Sequence, residues 1–186
     1  MSPLFDTFKA RAEAVSAEVH RFATSNQARD FILGFLRDEH VADAHEARAV
    51  WARGSLLEGV DCRRLAEQTP GLTFTVTRDA AERSKIGISQ MEWAIADTGT
   101  LVTDAAPVER RLVSSLPVIH IAVVPTSAIE ADMPAVLARI HPSQSGYISM
   151  ITGPSRTADI ERVLTIGIHG PSRLVILFVD ELGRNR

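Results

Sequence analysis

Residues 118–124 read Val-Ile-His-Ile-Ala-Val-Val, and residues 174–179 read Leu-Val-Ile-Leu-Phe-Val. Neither segment alternates apolar and polar residues, as a strand with one side in water would. Continuous apolar runs of this kind are typical of strands that are covered on both faces, as in parallel sheets. The two segments therefore predict a sheet buried between other layers of structure.

Further candidate strands surround these two runs. Short apolar segments between polar turns predict strands at residues 49–52, 72–77, 100–103 and 147–151. Apolar residues spaced by three and four predict helices over most of the first forty residues, with Phe5, Phe8, Ala12, Val15 and Val19 on one face. Ser25 or Asn26 is the candidate cap of a second helix.

Two more helices are predicted in the second half of the chain. Ser127 and Glu130 form a candidate capping box for a helix after Pro125, and another helix is expected to start at Ser155 or Thr157. Strands that alternate with helices are typical of an α/β sandwich with a mostly parallel sheet. That is the predicted fold class.

The composition limits both fold and function. A chain of 186 residues with a net charge of −3 predicts one domain without a basic surface for nucleic acid. Cys62 is the single cysteine, which excludes an internal disulfide, a cysteine-ligated zinc site and a self-contained iron–sulfur cluster. The apolar run 174–179 is too short to span a membrane, and charged residues near the N-terminus argue against a signal peptide. We therefore expect a cytoplasmic protein without a metal site.

Three segments combine glycine with hydroxyl or imidazole groups beside a candidate strand: residues 96–100, 151–157 and 166–171. Loops at strand ends, especially carboxyl ends, are the usual ligand sites of α/β sheets. Glycine permits close backbone approach, and Ser and Thr supply directional donors. The candidate ligand-binding residues are Thr98, Gly99, Thr100, Thr152, Gly153, Ser155, Arg156, Gly167 and Gly170.

The middle segment suggests an anion site. A strand, then Gly-Pro-Ser-Arg-Thr, then a helix would direct free N–H groups and Arg156 towards an anion. The alternative is a capped turn without a ligand, because Asp159 and Glu161 would already complement the helix dipole. His169, which lies between two glycines, is a candidate for proton exchange or simply a structural hydrogen-bonding residue.

Residues 97–100 also reproduce the Asp-Thr-Gly-Thr signature of aspartic proteases. Those enzymes are all-β, whereas this chain has several amphipathic helix patterns, which argues against the protease alternative. The dinucleotide fingerprint, the Gly-Lys-Ser/Thr phosphate loop and the Gly-x-Ser-x-Gly elbow are all absent from the sequence.

Taken in order, the segments at residues 88–102, 116–125, 151–161 and 167–171 resemble the lactate-utilisation protein C family, which carries the lactate-utilisation (LUD) domain. The resemblance implies a three-layer α/β sandwich like that of glucosamine-6-phosphate isomerase, ribose-5-phosphate isomerase and CoA-transferases, with N-terminal helices. Because the helical pattern gives way to short strands near residue 48, we expect a helical extension, residues 1–45, packed on an α/β domain, residues 46–186, as one domain overall. The stretch between about residues 40 and 85 is shorter than in the family.

The resemblance also implies a role in oxidising L-lactate to pyruvate beside two iron–sulfur sister proteins. The leading hypothesis is a cluster-free accessory subunit, with no cofactor of its own, that binds a small anion or a partner at the glycine segments. His169 would orient the ligand or exchange a proton with it.

The alternative is a stand-alone enzyme of the isomerase or acyl-CoA-transferase type with Glu92 or Asp97 as the catalytic carboxylate. A third hypothesis treats the N-terminal aromatic helices as a docking or dimer surface, which leaves a homo-oligomer open.

Overall fold

The computed structural model describes residues 3–140, 143, 145–158, 164–166 and 170–183. The α-helices are α1 (Pro3–Ala14), α2 (Ser25–Asp38), α3 (Cys62–Gln68), α4 (Arg78–Glu82), α5 (Val108–Ser115) and α6 (Met133–Leu137). The strands are β1 (Glu18–Phe22), β2 (Arg48–Trp51), β3 (Leu72–Thr73), β4 (Ser84–Gln90), β5 (Trp93–Ile95), β6 (Thr100–Asp104), β7 (Ile119–Pro125), β8 (Ile129–Glu130), β9 (Ile148–Ile151), β10 (Arg156–Ala158), β11 (Leu164–Ile166) and β12 (Arg173–Val179). Among these residues, no helix is long and apolar enough to cross a bilayer.

The main sheet has six strands in the order β1-β12-β7-β4-β2-β3, and every neighbouring pair is parallel. The two apolar runs form its centre, where β12 pairs with β7 and places Val175 beside Ile121. Every residue of β7 is buried. The predicted α/β class with a mostly parallel sheet is confirmed.

Two smaller sheets complete the strand arrangement. A four-stranded sheet has the order β8-β5-β6-β9, in which β5 and β6 form an antiparallel hairpin and β9 pairs antiparallel with β6. Strands β10 and β11 form a separate antiparallel pair. The four-stranded sheet supplies two of the three glycine segments, which lie at its β5–β6 turn and just after β9.

Two hydrophobic clusters cover the two faces of the main sheet. On one face, helix α2 buries Ala28, Ile32 and Leu36 against β4, β7 and β12. On the other face, α1 and the small sheet pack together on β7 and β12. There the rings of Phe5 and Phe8 meet Phe178 edge-on, with centroids 5.4 and 5.0 Å away. Such pairs add about 0.5–1.5 kcal/mol each to the free energy of area burial.

Helix α5 lies against the main sheet because Gly87 on β4 has no side chain. A Cβ atom at Gly87 would come within 2.1 Å of the Val113 carbonyl oxygen and 2.8 Å of Pro117 Cγ. Any larger residue would push α5 away from β4. This contact positions the C-terminal end of α5, where Ser114 and Ser115 border the cavity described below.

Three predictions of local structure are wrong. Residues 18–22 form strand β1 instead of continuing a helix, because pairing with β12 satisfies their backbone groups. The capping box after Pro125 does not start a helix; β8 pairs with β5 there, and α6 begins later under the cap of Asp132, whose carboxylate accepts from the Ala135 N–H at 2.9 Å. The helix expected at Ser155 or Thr157 is strand β10, stabilised by its partner β11.

The Gly87 contact predicts a large effect on stability. Gly87→Ala should lower the free energy of unfolding by about 1–3 kcal/mol, because the new methyl group overlaps rigid backbone of α5. Urea denaturation followed by circular dichroism measures the change.

The matched control is Gly34→Ala, inside α2, where the nearest atom to a new Cβ is a flexible Arg37 nitrogen at 3.8 Å. This variant should gain about 0.5–1 kcal/mol from helix propensity. Equal effects of the two substitutions would show that α5 does not depend on close contact with Gly87.

Candidate functional site

A cavity of about 360 Å³ lies at the amino-terminal ends of β7 and β12, between the main sheet and the exit of β9. His120 and Leu174, each the second residue of its strand, line it on the side of the main sheet. Ser114 and Ser115 border it at the end of α5, and Met150 and Ile151 border it on β9.

The cavity brings together several of the residues predicted from the sequence. Five of them line it, and they come from the second and third glycine segments: Thr152, Gly153, Ser155, Arg156 and Gly170. The two segments are joined by a hydrogen bond in which the Ser155 N–H donates to the Pro171 carbonyl at 2.8 Å. Residues 152–156 follow the carboxyl end of β9, an antiparallel strand of the small sheet, and they meet the main sheet at the amino-terminal ends of β7 and β12.

The first glycine segment reaches the cavity through a chain of hydroxyl groups. Thr98 Oγ1 donates to Thr100 Oγ1 at 2.8 Å, and Thr100 Oγ1 lies 2.8 Å from Thr152 Oγ1. Thr152 lines the cavity, whereas Thr98 and Thr100 stand behind it. The first segment therefore supports the site without lining it.

The glycines of these segments are required for packing against α1 and its C-terminal turn. Gly99 and Gly153 have φ angles of 66° and 71°, which disfavour other residues. A Cβ at Gly99 would lie 2.5 Å from the Ala12 nitrogen, and one at Gly153 would lie 2.7 Å from the Val15 carbonyl oxygen. Their role is thus to let the small sheet approach the N-terminal helix.

Arg156 is not at a helix N-terminus, as the sequence had suggested, but on β10. Its Nη2 group donates to the Val15 carbonyl at 2.6 Å and to Ser16 Oγ at 2.9 Å. Both contacts use one nitrogen, and among the described residues the other guanidinium N–H groups make no hydrogen bond. Arg156 therefore brings a positive charge to the rim of the cavity while it anchors the end of α1.

The sequence prediction missed a buried histidine–serine pair in the wall of the cavity. The side chain of His120 is 1% exposed, and its Nε2 atom lies 2.8 Å from Ser89 Oγ on the adjacent strand β4. Its Nδ1 atom has no hydrogen-bond partner among the described residues. Burial lowers the pKa of His120 to about 4, so the ring is neutral near pH 7.

One signal in the sequence could have identified His120. It is the one ionisable residue in the apolar run 118–124. In a strand buried on both faces, a polar side chain requires a partner or a function. Ser89 carried no such signal, since only the pairing of β4 with β7 places it beside the histidine.

Glu92 lies in a different place, between β4 and β5. Its side chain is buried; Oε1 accepts from Arg110 Nη1, and Oε2 accepts from the Asp104 N–H at 3.0 Å. Burial raises the pKa of Glu92, although the guanidinium of Arg110 opposes that rise. These contacts of Glu92 hold the β5–β6 hairpin against α5. Arg110 also lines a second groove, of about 380 Å³, near the carboxyl ends of β2 and β3.

The remaining sequence candidates do not join these sites. Asp97 is exposed in the β5–β6 turn, at the opposite end of the hairpin from Glu92. His169 and Gly167 lie outside the described residues. Within the described part of the chain, no group of three or more histidine, cysteine or acidic residues is arranged to hold a metal ion.

A family model described as the LUD domain matches residues 5–179. This chain belongs to the LUD domain family. Membership confirms the resemblance in residues 88–171, and the α/β architecture removes the aspartic-protease interpretation of residues 97–100.

This LUD domain is similar to curated proteins named "Lactate utilization protein C". It is 37% identical over 109 residues to the one from Geobacillus thermodenitrificans, covering 55% of this chain and 45% of the relative. The identity is also 37% with the one from Exiguobacterium sp., covering 57% and 49%, and 36% with the one from Halalkalibacterium halodurans, covering 55% and 47%. The chain thus spans about half the length of the curated relatives it matches.

Among solved structures, the LUD domain is similar to a DUF162 family protein from Deinococcus radiodurans. The TM-score is 0.58, the sequence identity is 19%, and the match covers 95% of this chain and 96% of that one. At this identity the similarity shows the shared fold.

The buried His120 predicts a specific pH dependence of stability. An unfolded histidine binds its proton near pH 6.5, whereas folded His120 does so only near pH 4. Between these values the unfolded chain binds more protons, so the free energy of unfolding falls as the pH falls, by about 3 kcal/mol from this group. Urea denaturation at several pH values should show a smaller loss for His120→Asn than for the wild type.

His45→Asn is the control for this measurement, because the side chain of His45 is 69% exposed. It should leave the pH dependence of the wild type unchanged. Parallel curves for the wild type and His120→Asn would contradict the neutral, buried state of His120.

Proposed function

We propose that this LUD domain takes part in lactate utilisation as a cluster-free subunit that binds a small anionic ligand. The proposal depends on one observation: residues from the second and third glycine segments, Thr152, Ser155, Arg156 and Gly170, line the same cavity. The similarity to proteins named for lactate utilisation supports the choice of pathway.

The charge distribution of the cavity supports an anionic ligand. Among the described lining residues, Arg156 is the one charged side chain, since His120 is neutral near pH 7 and no carboxylate lines the wall. An anion bound there would meet a guanidinium group and several hydroxyl groups without a repelling carboxylate.

The cysteine content supports a subunit that relies on other proteins for iron–sulfur clusters. With Cys62 alone, the chain lacks the ligands for an iron–sulfur cluster of its own. If lactate is oxidised by the assembly, the electrons pass through partners, for which two iron–sulfur sister proteins are proposed. The LUD domain would then bind and position a ligand beside them.

Deletion of the gene in its own host tests this proposal. Growth on L-lactate as carbon source should stop, and a plasmid copy of the wild type should restore it. A copy with Arg156→Ala should fail, because the cavity loses its positive charge.

Arg63→Ala, on the exposed surface of α3, is the control and should restore growth fully. Immunoblots and melting curves check that both variants accumulate as folded protein. Undiminished growth of the deletion strain on L-lactate would refute the assignment to lactate utilisation.

A second candidate function is a stand-alone acyl transfer or isomerisation enzyme that uses Glu92. The observation in its favour is the raised pKa of this buried carboxyl group beside Arg110, which lines the groove near the carboxyl ends of β2 and β3. The engagement of both Glu92 oxygens with Arg110 and Asp104 favours a structural role instead.

Turnover by the isolated chain distinguishes the two functions. If Glu92 is the catalytic carboxylate, Glu92→Gln should lower turnover of acyl-CoA or phosphosugar substrates at least about 100-fold. Glu67→Gln, at an exposed position on α3, should not change it. We expect the isolated wild-type chain to show no turnover, as a binding subunit would.

A further inference from the structure

The groove of about 380 Å³ near the carboxyl ends of β2 and β3 is separate from the cavity of the anion site, which lies at the amino-terminal ends of β7 and β12. All strands of the main sheet are parallel, so the two lie at opposite edges of it. The residues that line the groove follow β2 and β3 or begin α5, and they include Arg53, Phe74, Val76, Pro107, Glu109 and Arg110. Its volume is within the range of about 300–1,000 Å³ that is typical of small-molecule sites.

The groove lies where the order of the strands reverses. From β2 the chain continues to β3 on one side of it, whereas from β4, the neighbour of β2 on the other side, the chain continues away towards β7 and β12. The segments that leave these two adjacent strands therefore diverge. Crevices at such reversals, outside the carboxyl ends of the strands, are the usual ligand sites of open α/β sheets.

The segment that carries Arg53 is held against the end of β4. The buried Gln90, the last residue of β4, accepts from the Ser55 N–H through Oε1 at 2.7 Å and donates to Ser55 Oγ through Nε2 at 3.3 Å. Gly54 permits this approach, since a Cβ atom there would lie 2.7 Å from Gln90 Oε1. These contacts fix the backbone next to Arg53 beside the groove.

Arg110 is held by a buried carboxylate. Its Nη1 atom donates to Glu92 Oε1 and, at 2.8 Å, to the carbonyl oxygen of Asp104. In the described part of the chain, its Nε and Nη2 groups make no hydrogen bond. Because the charge of Glu92 balances that of Arg110, the pair supplies donor groups to the groove without adding net charge.

The two other charged residues that line the groove, Arg53 and Glu109, have opposite signs. Both are exposed, and neither makes a hydrogen bond or an ion pair within the described part of the chain. They therefore leave one positive and one negative group available to a single ligand. Since Glu92 balances Arg110, the groove is neutral as a whole. A ligand that carries one charge of each sign is complementary to it, whereas a simple anion is not.

The apolar part of the lining defines the third property of the ligand. Phe74 and Val76 line the groove together with Ala52 and Pro107. The ring of Phe74 packs against that of Trp51 at the end of β2, with centroids 5.9 Å apart. Small-molecule sites typically combine such an apolar wall with a few polar groups that set the orientation of the ligand.

We infer that this groove is a second ligand site, which binds an α-amino acid with a large apolar side chain. The carboxylate of the amino acid pairs with Arg53 and accepts from Arg110, and its ammonium group pairs with Glu109. Its side chain packs on Phe74 and Val76. The inference does not depend on the anion site proposed above, because the two sites share no lining residue among those described.

Calorimetry with matched compounds tests the inference. L-phenylalanine, N-acetyl-L-phenylalanine and L-phenylalaninamide are titrated into the full chain. The free amino acid should bind, and each derivative should bind at least about ten-fold more weakly, because it lacks one of the two charged groups. Glycine, which keeps both charges but has no side chain, should also bind at least about ten-fold more weakly.

Two substitutions assign the charges of the ligand to residues. Arg53→Gln should weaken binding of L-phenylalanine about ten-fold but change binding of the amide little, since the amide has no carboxylate to lose. Glu109→Gln should weaken binding of L-phenylalanine to a similar extent but change binding of the N-acetyl derivative little. Both positions are exposed, so the fold should be unaffected. Arg63→Gln, on the exposed surface of α3, is the control and should not change binding.

Backbone amide resonances of nitrogen-15-labelled wild type locate the site. L-phenylalanine should shift the resonances of Arg53, Val76 and Arg110 and leave those of Thr152 and Gly153 unchanged. Shifts at Thr152 and Gly153 instead, or equal affinity for L-phenylalanine and its N-acetyl derivative, would overturn the inference while the anion site stands. Failure of both L-phenylalanine and L-leucine to bind at millimolar concentration would overturn it as well.

Discussion

Burial of the six-stranded parallel sheet on both faces is the constraint on which the rest of this structure depends. Within such a sheet the backbone groups are paired by neighbouring strands, but side chains must be apolar or must find a polar partner in the interior. Strand β12 meets this condition with an apolar side chain at every position after Arg173. The buried polar residues of the sheet, Ser84, Ser89 and Gln90 on β4 and His120 on β7, are therefore positions where an interaction or a function compensates for burial.

Glu92, which follows β4, and His120 differ in how completely their polar atoms are paired. Glu92 is satisfied by Arg110 and by the backbone of Asp104, so its burial is explained by the attachment of the hairpin to α5. His120 is half satisfied, because Ser89 occupies one ring nitrogen only.

The cavity itself is a product of packing between layers. The small sheet comes close to α1 because Gly99 and Gly153 have no side chains, and α5 comes close to β4 because of Gly87. Between these contacts the cavity lies beside the amino-terminal ends of β7 and β12. The fold that the LUD domain shares with the DUF162 protein does not by itself assign a reaction, because related folds carry different chemistry in their sites.

The sequence alone determined the buried strands β7 and β12, the fold class and the glycine segments, because these follow from local apolar patterns and residue types. It also pointed to Thr152, Ser155 and Arg156 as donors near one another. Strand β4 was missed because its sequence, Ser-Lys-Ile-Gly-Ile-Ser-Gln, reads as half polar. Two of those polar residues are explained by neighbours distant in the chain, Lys85 by Glu39 and Ser89 by His120.

Tertiary structure alone decided that residues 156–158 form a strand, that the cavity lies at the amino-terminal ends of β7 and β12, and that His120 is one of its lining residues. The cavity and the burial of His120 depend on pairing between segments far apart in the chain, β6 with β9 and β4 with β7, whereas β10 pairs with the nearby strand β11. A local pattern records the burial of a segment but not the identity of the segment that buries it. For that reason the sequence identified the parts of the site, and only the packing of the layers determined which of them meet.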